Sequence, residues 1–85
     1  MTMFEQYIAR LEANHVFYTR VGNTVDIEDG YGKNYRRIHT VGLDKSFLIF
    51  FLDDVGEAEP IELHHETCAK GAWYETEKLM EKFPF

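Results

Sequence analysis

A chain of 85 residues makes one domain whose core gives roughly 3–5 kcal/mol of net stability and leaves little room for a deep active site. Hydrophobic residues at 45% and aromatics at 15% are the composition of a folded globular protein and argue against disorder. Nine Lys and Arg against 15 acids, a net charge of −6, argue against wrapping DNA or RNA, because such binding rests on neutralising phosphates.

The lone Cys68 cannot form an intramolecular disulfide, and the N-terminus lacks the basic, apolar, small-residue order of a secretory signal. The longest apolar run, Phe47 to Leu52, is far short of the roughly 20 residues that span a bilayer. The expectation is a cytoplasmic protein, neither secreted nor integral to a membrane.

In chain order, Thr2-Met3-Phe4-Glu5 has the spacing of a capping box, and Phe4, Tyr7, Ile8 and Leu11 follow at helical spacing, with Asn14 as terminator. From His15 the residues turn β-branched and aromatic: Val16 to Val21, then Gly22-Asn23, then Thr24 to Glu28. This predicts a hairpin with a type II′ turn, in which Gly22 supplies the positive φ. Asp29 to Asn34 reads as a loop. Tyr35 to Val41 is expected to be a third strand, with Tyr35, Arg37, His39 and Val41 on one face and Arg36, Ile38 and Thr40 on the other.

Phe47 to Leu52 is apolar at both parities, the pattern of a central strand covered on both faces. Ile61 to His65 is expected as a short edge strand with Ile61 and Leu63 facing in. A final helix from about Thr67 to Phe83 carries Ala69, Ala72, Trp73, Thr76, Leu79, Met80 and Phe83 at helical spacing; Gly71 inside it costs about 1 kcal/mol relative to Ala, so its first turn frays or packs closely on the sheet. The fold class is therefore α+β: a four- to five-stranded, mainly antiparallel sheet with an N-terminal and a C-terminal helix on one face, in a single domain over residues 1–85.

The most distinctive stretch is Asp53 to Glu62, where Asp53, Asp54, Glu57, Glu59 and Glu62 occur with no Lys or Arg between them. Its charge cannot be neutralised locally, so it should project a negative field that selects basic partners. The counterpart is Tyr31 to Arg37, in which Lys33, Arg36 and Arg37 interleave with Tyr31 and Tyr35. Such a patch stacks bases in single-strand binders, but it equally complements Asp26, Glu28 or Asp29 across the sheet or serves a protein interface, and the acidic remainder of the chain favours these over direct nucleic-acid binding.

His64-His65-Glu66-Thr67-Cys68 gathers three types of metal ligand, and Cys68 lies near a helix start that would favour a thiolate. The spacing matches no standard zinc site, adjacent strand histidines point to opposite faces, and a small residue beside Ala69 and Ala72 suits packing, so no metal, cofactor or catalytic residue is assigned. The calcium-loop reading of Asp26 to Arg37 fails because Gly30 and Arg37 would stand where oxygen ligands are required.

The leading expectation is a non-enzymatic, acidic protein-binding module. It would act as an inhibitor of the general type of the compact acidic phage proteins that block host enzymes, and would mimic nucleic-acid phosphates. Its partner would be a larger protein with a basic surface, such as a nucleic-acid-binding enzyme, and its contacts would come from Asp53, Asp54, Glu57, Glu59, Glu62, Tyr31, Lys33, Tyr35 and Arg36. The alternatives are a small metal- or thiol-dependent enzyme using His64, His65, Glu66 and Cys68, and a ligand binder or homo-oligomer subunit in which a second copy buries Phe50 and its apolar neighbours. Both monomer and homodimer are compatible with the sequence.

Overall fold

A computed structural model of the chain describes residues 2–29, 36–53 and 62–82, with the side chains of Asp29 and Asp53 outside the description. Helix α1 (Met3–Ala13) is followed by β1 (Thr19–Val21), β2 (Thr24–Asp29), β3 (Arg36–Gly42), β4 (Phe47–Asp53), β5 (Glu62–Glu66) and helix α2 (Ala69–Lys82). The five strands form one antiparallel sheet in sequence order, as expected where each strand turns directly back on its neighbour. The predicted α+β class is thus observed. No described helix is long and apolar enough to cross a membrane.

The capping box opens α1. Thr2 Oγ1 accepts from the Glu5 amide at 3.1 Å, and Glu5 Oε1 accepts from the Thr2 amide at 3.1 Å. Hydrogen bonding from Thr2, its amide foremost and its side chain second, holds the Glu5 carboxyl below the ordinary carboxylate range. Phe4, Tyr7, Ile8 and Leu11 form the buried stripe.

Asn14 caps the helix, but the residue that turns the chain is His15, at φ 58. The His15 amide donates to Glu12 O at 3.1 Å and the Val16 amide to Leu11 O at 2.9 Å, the paired bonds of a Schellman motif, with Val16 carried onto the core. A Cβ in this left-handed conformation is unfavourable, so His15→Gly should raise stability by about 0.5–1 kcal/mol, read as a higher denaturant midpoint at unchanged slope.

This turn also corrects the extent of the first strand. Val16 and Tyr18 pack against the core, Tyr18 donates its hydroxyl to Glu12 Oε1 at 2.6 Å, and Phe17 is 94% exposed, so regular pairing starts only at Thr19. The Gly22-Asn23 turn agrees with the type II′ expectation, since Gly22 has φ 59 while Asn23 is not among the positive-φ residues.

Along β2, Val25 and Ile27 are buried and alternate with Asp26 and Glu28. That parity assigns the core face, and the register passes it to Ile38, Thr40 and Gly42 of β3 and to Phe47, Ile49 and Phe51 of β4. Both helices lie on this face. Tyr7 of α1 ties it together: its hydroxyl is 3.0 Å from Thr40 Oγ1 on β3 and 2.8 Å from Thr76 Oγ1 on α2. Thr76 itself donates to Ala72 O at 2.9 Å.

Helix α2 buries Ala69, Ala72, Trp73, Thr76 and Leu79, which places Trp73 in the core. Its first turn packs closely, as one of the two expectations for Gly71 had it: a Cβ there would meet Glu66 Oε2 at 2.8 Å. The Cys68 thiol sulfur accepts from the Gly71 amide at 3.3 Å, and Cys68 O accepts from Ala72 at 3.0 Å, so Cys68 serves as the cap of α2.

Two strand expectations are corrected. β4 is interior to the sheet, paired with both β3 and β5 as expected of a central strand, but among the described residues the helices cover only one of its faces. The reason is material: two helices, each about 10 Å wide, span no more than one face of a five-stranded sheet roughly 24 Å across. In β5 the predicted parity is reversed. Leu63 is 57% exposed and stands opposite Phe50, whereas Glu62, His64 and Glu66 take the helix side. Ile61 lies outside the described residues.

Candidate functional site

The face of the sheet turned away from the helices is a grid that the register fixes residue by residue. One row runs Asp26, His39, Phe50, Leu63; the row on one side runs Thr24, Val41, Leu48, His65; the row on the other runs Glu28, Arg37, Leu52. Val41, Leu48, Phe50, Leu52 and Leu63 therefore make one continuous apolar strip over β3, β4 and β5. Leu63 is exposed and the other four are half-buried. Strand pleating alone produces this arrangement, because every second residue of β4 must emerge on the side opposite Phe47, Ile49 and Phe51.

The strip ends at a polar corner whose charge is partly offset from within. Asp26 Oδ1 is 2.7 Å from His39 Nδ1 and 3.5 Å from Arg37 Nε, and Glu28 stands opposite Arg37. An ionised carboxylate only accepts, so Nδ1 carries the hydrogen of the His39 contact. The His39 ring lies 6.0 Å from that of Phe50 at an interplanar angle of 43°, which joins corner and strip. Arg37, the last cation of the basic stretch, is thus paired across the sheet.

At one end of the sheet, Asp29, Arg36 and Asp53 stand in a row as register partners on β2, β3 and β4, with Glu62 opening β5 two pairs further in. The segment containing Tyr31, Lys33 and Tyr35 joins Asp29 to Arg36, and the segment containing Asp54, Glu57 and Glu59 joins Asp53 to Glu62. These six residues lie outside the described residues, but both segments leave and re-enter the sheet at this same end.

Glu62 is already engaged within the molecule. Lys82 donates to its Oε2 at 2.9 Å and His64 Nε2 lies 3.0 Å from its Oε1, and these two bonds, the lysine's foremost, hold its carboxyl below the ordinary range. The other ring nitrogen of His64 is 3.3 Å from Glu75 Oε2. A neutral imidazole carries a hydrogen on one nitrogen only, so it can donate to one of these two carboxylates at a time.

His64 therefore sits between two carboxylates on the helix side, while His65 emerges on the opposite face and Cys68 is exposed at the helix cap. The structure does not bring His64, His65, Glu66 and Cys68 together, and among the described residues no group of three or more His, Cys, Asp and Glu is arranged to hold a metal ion. No protein-family model, curated protein or solved structure matches the chain.

The apolar strip was foreshadowed only by the homo-oligomer alternative, in which a second copy buries Phe50 and its apolar neighbours. Its signal was present in the two-parity apolar pattern of Phe47 to Leu52 but was read as a strand covered twice.

Proposed function

We propose that this protein is a binding module that engages a basic surface of a larger protein, in the manner of an inhibitor that occupies a groove built for nucleic-acid phosphates. The observation that carries the reading is the row Asp29, Arg36, Asp53: the strand ends deliver the acidic segment and the aromatic, basic segment to one end of a rigid sheet. That segment supplies five of the chain's 15 acids within ten residues and no cation. A field of this kind raises the rate of encounter with a basic partner and suppresses like-charged ones.

Reversal of Asp53, Asp54, Glu57 and Glu59 to Lys is the test. Association with the partner captured from the source cell, measured at low salt, should slow about tenfold or more, and the wild-type rate should fall towards that of the variant as salt is raised. The circular-dichroism spectrum should be unchanged. An association rate indifferent to both the substitutions and salt rules the electrostatic reading out.

A further inference from the structure

We infer that the helix-free face of the sheet is covered in solution by the same face of a second copy, forming a two-fold dimer with Phe50 beside the axis. This surface is distinct from the strand-end surface of the proposed function, and three observations carry it.

The first is position. Phe50 is the middle of the strip, with Leu48 and Leu52 before and after it on its own face of β4, and His39 and Leu63 beside it in its row. A two-fold axis passing next to Phe50 lays the strip on itself whether the axis runs along the strands or across them, which is the self-complementarity that an isologous interface requires.

The second is area. Five strands about 4.8 Å apart and averaging between five and six residues present roughly 400–500 Å² of footprint, so two copies bury close to the roughly 1,000 Å² that a specific interface needs. Aligned packing of two sheets is a standard way to close such faces, and it leaves both helix layers outside.

The third is charge. The described side chains of this face include two acids, Asp26 and Glu28, and one arginine, Arg37, so with histidines neutral it carries a formal −1 while the whole chain carries −6. Two like-charged copies therefore meet through it with little repulsion. The same low charge makes it a poor match for a basic partner, which leaves a second apolar face of the same kind as the fitting occupant.

Sedimentation equilibrium of the full chain from about 1 to 300 μM decides the matter. The expected result is a concentration-dependent rise from the 10.0 kDa chain mass to twice that value, not weakened by added salt. Phe50→Glu should raise the dissociation constant at least a hundredfold and Leu63→Glu at least tenfold. Leu63 is exposed in the single copy, so its substitution leaves the fold intact and decides the outcome even if Phe50→Glu unfolds the protein. The variant reversed at Asp53, Asp54, Glu57 and Glu59 should dimerise no less well than the wild type, which separates this inference from the proposed function. A monomer at every concentration overturns the inference, as does a dimer that Leu63→Glu does not weaken.

Discussion

Gly42→Ala is expected to lower stability by about 1–3 kcal/mol, and Gly42→Val by more, measured as a fall in urea midpoint. A Cβ built at Gly42 overlaps Cδ1 of the Phe4 ring and approaches its Cε1 at 2.9 Å. The ring has little freedom to retreat, because it is 8% exposed and the Arg20 guanidinium lies 4.9 Å from its centroid. Nor can the strand give way easily: Gly42 pairs with Phe47 across β3 and β4, and its amide donates to Asn23 O at 2.7 Å. Phe4→Leu in the same chain should relieve the overlap, so the double variant should lose less than the sum of the two single losses. Additive losses would show that the ring contact is not the cause.

Tyr7→Phe should cost about 1–3 kcal/mol although it removes a single oxygen. The Thr76 hydroxyl spends its hydrogen on Ala72 O, so Tyr7 donates to Thr76 and Thr40 donates to Tyr7. Deleting the phenol hydroxyl leaves two buried threonines, both 0% exposed, without their partner. The same group makes stability depend on alkaline pH. Burial, the dominant cause, raises the Tyr7 pKa above its ordinary 10.0 against the opposing effect of its two hydrogen bonds. A raised folded value means that the unfolded chain gives up the proton first. The contribution is complete below about pH 10 and is lost as pH rises through the folded value. The stability difference between wild type and Tyr7→Phe should therefore narrow above about pH 10; a constant difference from pH 7 to pH 11 would exclude the linkage.

Much of the architecture was legible in local pattern. Thr2 with Glu5, the stripe Phe4, Tyr7, Ile8 and Leu11, the Gly22 turn and the face of Ala69, Ala72, Trp73, Thr76 and Leu79 are each specified by residues a few positions apart. The apolar face was not, because no local rule says how many layers a chain of this size can place around one strand. The predicted contact residues Tyr31, Lys33, Tyr35, Asp54, Glu57 and Glu59 lie outside the described residues; Arg36, Asp53 and Glu62 stand at the strand ends that the hairpin pattern placed together.

By itself the sequence determined the two amphipathic helices, the antiparallel order of the strands and the inward parity of Val25 and Ile27, since polar residues alternate with apolar ones there and a one-residue slip would bury Asp26 and Glu28. Tertiary structure alone decided which way Phe50 and Leu63 face. β4 is apolar at both parities, so its own pattern expresses no preference, and the choice comes through the register from β2 and β3. Contacts between distant residues then hold the helices to one side: Phe4 against Gly42, and Tyr7 with Thr40 and Thr76, which are 33 and 69 residues away in the chain. β5 follows β4, so Leu63 joins Phe50 on the uncovered face and Glu62 and His64 turn towards Lys82 and Glu75 of α2.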